Sequence, residues 1–192
     1  MDDNFSSRVK DVISYSKEEA LRLGHKQIGT EHLLLGMLRD GGGKAIKILS
    51  SIEIDLDELR KKIEILNPAI IDSSSVGLNE KKNLHLTRQA ERALKTTFLE
   101  AKLFQSSNIN TAHLLLCILR NDNDPITKLL LKMEISYDIV KDKFKNMIDD
   151  NLSDDIIEYP SSSAFPDEKD ESDESSKNPF SSKQKSKSTA ST

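Results

Sequence analysis

The chain has 192 residues, enough to bury a sizeable core in one or two domains. Its 28 Lys and Arg nearly balance 32 Asp and Glu, giving a formal charge of -4, and it holds six Phe, three Tyr, one Cys and no Trp. These numbers exclude a broad basic surface for nucleic acid, an aromatic platform for single strands, an internal disulfide and a multi-cysteine zinc centre. Asp2 and Asp3 contrast with the basic start of a signal peptide, and no apolar run nears the roughly 18 residues of a membrane span. The expectation is a cytoplasmic protein with neither nucleic-acid nor membrane partners.

In chain order, Phe5, Val9, Val12, Ala20 and Leu23 recur at helical spacing. A second helix is predicted to open at Thr30 as N-cap, and its Leu33-Leu34-Leu35 run is apolar on nearly every side, so it should be central and buried. Gly41-Gly42-Gly43-Lys44 resembles a phosphate loop only superficially. A Walker loop needs glycine where Leu38 stands and Ser or Thr where Ala45 stands, so the run reads as a turn into a third helix. A fourth helix is expected from Asp55, with Glu58 placed for a capping box and Leu56, Leu59, Ile63 and Leu66 facing inward. Residues 67–83, with Pro68, Ser73-Ser74-Ser75 and Gly77, read as a linker.

The chain then repeats itself. An offset of 81 residues places Glu19-Ala20 on Glu100-Ala101, Thr30 on Thr111, His32-Leu33-Leu34-Leu35 on His113-Leu114-Leu115-Leu116, and Leu38-Arg39 on Leu119-Arg120. Ten of the 22 positions from 19 to 40 are identical, far above chance, so the halves are copies. Leu86, Ala90, Ala93, Ala101 and Phe104 restate the first helix, Thr111 opens the second, and Asp124-Pro125 gives the third an N-cap followed by proline. Tyr137, Val140, Phe144 and Met147 restate the fourth. No strand pattern stands out.

Residues 151–192 hold 12 Ser, nine acids, five Lys and three Pro. That composition cannot offset its ordering entropy and is expected to be a disordered acidic, serine-rich tail. The predicted architecture is all-α: two four-helix repeats, 4–66 and 84–148, related by pseudo-two-fold symmetry within a 1–150 domain.

Four histidines, His25, His32, His85 and His113, lack metal-ligand spacing, and Glu31-His32 has no second histidine four residues on. His32 and His113 read as core histidines bonded to backbone carbonyls, and Cys117, aligned with Gly36, as an inert core residue. No catalytic constellation, metal site or cofactor site is visible. Glu31 sits in the first turn of its helix, where its charge favours the helix dipole.

The run Ala20-Leu21-Arg22-Leu23-Gly24-His25, followed by Ile28-Gly29-Thr30-Glu31-His32-Leu33-Leu34-Leu35-Gly36, closely resembles the N-terminal domain of Clp-family ATPases of the ClpC type. Met37-Leu38-Arg39 and the glycine turn extend the likeness, which covers about residues 4–148. The resemblance implies a double Clp repeat that recruits substrates and adaptor proteins for a ring-forming AAA+ unfoldase, which delivers them to the ClpP peptidase. ATP and Mg would belong to ATPase modules outside this chain, and the isolated domain would be monomeric. The alternative is a stand-alone Clp-N regulator or adaptor of a Clp protease complex.

In some Gram-positive relatives this domain also binds phosphoarginine, one pocket per repeat. Carried over residue by residue, Glu31 would pair with the guanidinium and Ser6 would stand near the phosphate. In the second repeat Thr87 keeps the hydroxyl, but Ala112 replaces the glutamate, and Gln105, Ser106 and Asn110 replace Gly24, His25 and Gly29. The resemblance therefore implies one surviving pocket, in repeat one.

Overall fold

The computed structural model describes residues 5–70 and 84–153, with side chains to residue 149. Repeat one comprises α1 (Ser7–Arg22), α2 (Thr30–Asp40), α3 (Gly43–Ser51) and α4 (Leu56–Leu66). Repeat two comprises α5 (Arg88–Leu103), α6 (Thr111–Leu119), α7 (Pro125–Lys132) and α8 (Tyr137–Ser153). The all-α reading holds, with a small addition. Gln27–Ile28 (β1) and His85–Leu86 (β2) form a two-residue parallel pair, and Phe5 bridges Ile109 in the same sense. Such short extended contacts leave no alternating pattern for a sequence to display.

Local chemistry explains most helix ends. Ser6 Oγ accepts from Val9 N at 3.3 Å, Thr87 Oγ1 from Ala90 N at 3.2 Å, and Asp55 from the amides of Asp57 and Glu58 at 2.9 and 3.0 Å. Glu58 pairs with Lys62 at 2.7 Å. The α2 and α6 starts differ from expectation: the N-caps are Gly29 and Asn110, and Thr30 and Thr111 are the first helical residues. Their hydroxyls are taken by the opposite repeat. Thr30 Oγ1 donates to Asp124, the N-cap of α7, at 2.9 Å, and Thr111 Oγ1 accepts from Ala45 N in α3 at 3.1 Å. The repeats are thus clasped by two symmetry-related bonds.

The core lies where α2 and α6 meet. Leu33, Leu34, Leu35, Leu114, Leu115 and Leu116 are completely buried, and α1, α3, α5 and α8 cover them. Burying six leucines contributes about 9–18 kcal/mol before entropy is subtracted, so this layer dominates the fold. Two buried glutamates at equivalent positions are neutralised there. Glu19 accepts from Arg22 at 2.8 Å with Arg39 at 3.4 Å, and Glu100 accepts from Arg120 and from Tyr137 Oη. Leu66, expected inside, is exposed. It closes the last turn of α4, beyond the last inward position, Ile63.

Of the linker, residues 67–70 lie along the end of α1, where Ile70 N donates to Leu23 O at 2.8 Å. Residues 71–83 lie outside the described residues. The α8 helix runs to Ser153, past the 148–150 boundary read from composition, and the rest of the expected tail lies outside the described residues. No helix among the described residues is long and apolar enough to cross a membrane.

Candidate functional site

The segments leading into the helices cross between repeats. Thr87 N donates to Ile28 O at 2.8 Å, and Ser6 N donates to Ile109 O at 2.9 Å. The N-terminus of α5 therefore stands beside the turn that carries Gly29 and Glu31, whereas the N-terminus of α1 stands beside Asn110 and Ala112. This corrects the grouping expected from the sequence. Glu31 is joined to the lead-in of Thr87, and Ser6 to the turn that lacks a glutamate. The 81-residue offset could not have revealed this, because identical segments give the same pattern whether each pairs within its repeat or across.

At the first turn of α2, Gly29 has no side chain to cap the helix, and the Glu31 carboxylate folds back to accept its own backbone N–H. A β-carbon on Gly29 would collide with that carboxylate. Repeat two solves the same problem with Asn110, whose Oδ1 accepts from Ala112 N at 3.0 Å. Gly29 with Glu31 and Asn110 with Ala112 are two complete solutions for one exposed helix end. Burial raises the Glu31 pKa above the ordinary carboxylate value, opposed by its own N–H bond, with the Asp124 charge adding to the rise. Among the described residues no lysine or arginine pairs with Glu31, so a partly buried carboxylate faces outward without a cation.

Beneath it lies a chain of hydrogen bonds. Gly29 N donates to His32 Nδ1 at 2.9 Å, which places the imidazole proton on Nε2. That nitrogen lies 2.8 Å from His25 Nδ1, and His25 Nε2 lies 3.0 Å from Pro68 O. The core-histidine reading holds, but the ring accepts from an amide rather than bonding to a carbonyl. His25, Glu31 and His32 bring one ligand atom each within 4.8 Å of one another. Both imidazole lone pairs are already committed in this relay, so a cation there would have to break it. The 3.3 Å approach of Glu31 to His32 Nδ1 is not an ion pair, because burial lowers the His32 pKa to about 4 and that nitrogen is an acceptor.

His113 also accepts from the amide three residues back, Asn110 N, at 3.1 Å. With Ser106 in place of His25, its Nε2 is buried without a hydrogen-bond partner among the described residues, and the imidazole packs against the rings of Phe104 and Phe144, the latter edge-on with centroids 5.1 Å apart. Burial and the Lys44 charge lower its pKa to about 4. Cys117 is buried and its thiol is pushed up to about 12, in keeping with an inert thiol.

Residues 4–133 match the family model described as the Clp repeat (R) N-terminal domain. The chain is 30% identical over 149 residues to a chaperone protein ClpB of Oceanobacillus iheyensis, covering 78% of this chain and 18% of that protein. It is 29% identical over 147 residues to the negative regulator of genetic competence ClpC/MecB of Bacillus subtilis, covering 77% and 17%. The chain therefore spans less than a fifth of these relatives. Among solved structures, the N-domain of ClpV from Vibrio cholerae superposes with a TM-score of 0.63 at 15% identity, covering 77% of this chain and 86% of that one. The N-terminal domain of ClpD from Arabidopsis thaliana gives 0.59 at 18%, covering 76% and 95%. At these identities the structures speak for the fold alone.

Proposed function

Because the chain belongs to the Clp repeat N-terminal domain family, we propose that it is the docking module of a Clp ATPase, recruiting substrate and adaptor proteins that the parent unfoldase delivers to ClpP. The observation that carries this reading is the Glu31 carboxylate, partly buried, without a cation and set beside the capped N-terminus of α5. A guanidinium would pair with Glu31, and an attached anion would meet the first-turn amides of α5 and the Thr87 hydroxyl. Phosphoarginine on a client protein has that chemistry. One such site is proposed, built from Glu31 of repeat one and Thr87 of repeat two.

Calorimetric titration with free phosphoarginine tests the reading. One site is expected, weakened most by Glu31→Gln, less by Thr87→Ala and indifferent to Ser6→Ala. A charge-assisted hydrogen bond contributes about 1.5–3 kcal/mol, so Glu31→Gln should weaken binding by one to two orders of magnitude. Ala112→Glu alone should not create a second site, because Asn110 occupies the space a glutamate needs; Asn110→Gly with Ala112→Glu should. Dependence on Ser6 instead of Thr87 would refute the pairing, and absence of binding would refute the ligand.

A further inference from the structure

Between α5 and α6 lies a cleft of about 540 Å³, outside the Glu31 site but opening beside it. Thr30, which precedes Glu31, and Gln89, two residues after Thr87, line one end, and Lys102 and Leu103 on the last turn of α5 also line it. The corresponding helix pair of repeat one differs at the facing positions. In repeat one, Gly36 lets α1 lie directly on α2: a β-carbon there would stand 2.6 Å from Val12 O and Ser16 Oγ. Cys117 holds that place in repeat two, and Ala93 and Thr97 take the places of Val12 and Ser16 in the sequence. Ala93 and Cys117 both line the cleft, so the small Ala93 side chain leaves space where the larger Val12 is buried in repeat one.

The walls are chemically uneven. Leu99 and Leu103 stand one turn apart on α5, 49% and 66% exposed, with Phe98 beside them at 42%. Ala93, Cys117 and Ile118 form the floor. The one carboxylate in the cleft, Glu100, is consumed by Arg120 and Tyr137. Arg92 and Lys102 flank the cleft and form no ion pair among the described residues; Lys102 lies over the Phe98 ring at 5.5 Å. A cleft with exposed leucines on one wall and two cations without carboxylate partners among the described residues at its rim calls for apolar side chains next to acids.

We propose that this cleft is a second docking surface of the domain, taking an acidic–apolar peptide segment of a client or adaptor protein, with leucine- or phenylalanine-sized side chains between α5 and α6 and carboxylates on Arg92 and Lys102. The inference rests on the reading that the domain binds polypeptides, but not on Glu31.

The test titrates the full chain with a short fluorescein-labelled peptide in which Leu and Phe alternate with Asp and Glu, read by anisotropy. Leu99→Asp with Leu103→Asp should weaken binding about tenfold or more, the loss expected when one large apolar side chain is no longer buried. Both positions are exposed, so folding should persist. Arg92→Glu should also weaken binding and should be rescued by exchanging the peptide's acids for lysine. Glu31→Gln should leave this peptide unaffected while it weakens phosphoarginine binding about tenfold or more, so the two proposals fail separately. No binding to the wild-type chain, or equal binding by the Leu99/Leu103 variant, would overturn the proposal. So would a dimer dissociated by Leu103→Asp, which would assign the cleft to a second copy. Binding only after removal of residues 154–192 would assign it to the chain's own end, and that too would overturn it.

Discussion

Repeat one lays its first helix on the central helix at Gly36, where there is no room for a β-carbon, and repeat two carries Cys117 at the equivalent place. Around that one position the other differences fall into groups. Repeat one has an α2 start closed by the Glu31 carboxylate folded over Gly29, a histidine relay reaching Pro68 O, and a closely applied α1. Repeat two has a capped α6 start, a histidine enclosed by aromatic rings, and a cleft under α5. Duplicated sequence has kept the hydrophobic layer in both copies and let the surfaces around it diverge. A buried leucine is constrained by neighbours on every side, whereas a helix end can be satisfied by asparagine or by glutamate at similar cost.

The largest test strikes what the repeats share. Leu34→Ala and Leu115→Ala should each lower stability by about 2–5 kcal/mol in urea unfolding, because both side chains are fully buried in the central layer. If Leu115→Ala falls well below Leu34→Ala, the looser side of repeat two collapses into the cavity; equal losses would mean the cleft does not soften the core.

Acid should strain both repeats through their histidines. His32 and His113 are lowered from 6.5 to about 4, so between those values the unfolded chain holds more protons than the folded one. Stability is then full above pH 6.5, falls as pH drops toward 4, and levels below that, by at most about 3 kcal/mol per histidine. Glu31 works in the opposite sense: its pKa is raised by burial, so protonation of this carboxyl favours the folded chain as pH falls. Urea midpoints followed through this range should fall with acid, and replacing His113 by Gln should remove part of the slope.

Importing the repeat-two residue into repeat one gives a smaller effect. Gly36→Cys drives a β-carbon into the α1 backbone and should cost about 1–3 kcal/mol, by thermal or urea unfolding. A neutral outcome would break the link between this position and the cleft. The smallest test runs the other way. Gly24 and Gln105 end α1 and α5 in the same left-handed conformation, at φ +70° and +50°. Gln105→Gly should therefore stabilise repeat two by about 0.5–1 kcal/mol, read as a small rise in melting temperature.

The helices, their order and the buried leucine runs 33–35 and 114–116 were legible from spacing alone, whereas Leu66 was not, because a 3.6-residue period and a fully apolar run are local properties of the chain but the place where a helix stops facing the core is not. The duplication also located the sites of divergence, Glu31 against Ala112 and Gly36 against Cys117, before any coordinates. Three matters belong to the tertiary structure. Thr30 and Thr111 look like N-caps in sequence, yet each hydroxyl bonds to the opposite repeat, since only packing decides whether a nearby amide or a distant carboxylate or amide is the partner. Ser6 and Thr87 each cap their own helix, yet each lies against the other repeat's turn, which moves Thr87 to Glu31. The spacing of α5 from α6 is a sum over contacts on two helices, so no single residue type announces a cleft. Sequence determined which surfaces would be apolar or charged; which of them face one another was decided by the two-fold crossing of the repeats, because that crossing satisfies the backbone groups left unpaired at the helix starts.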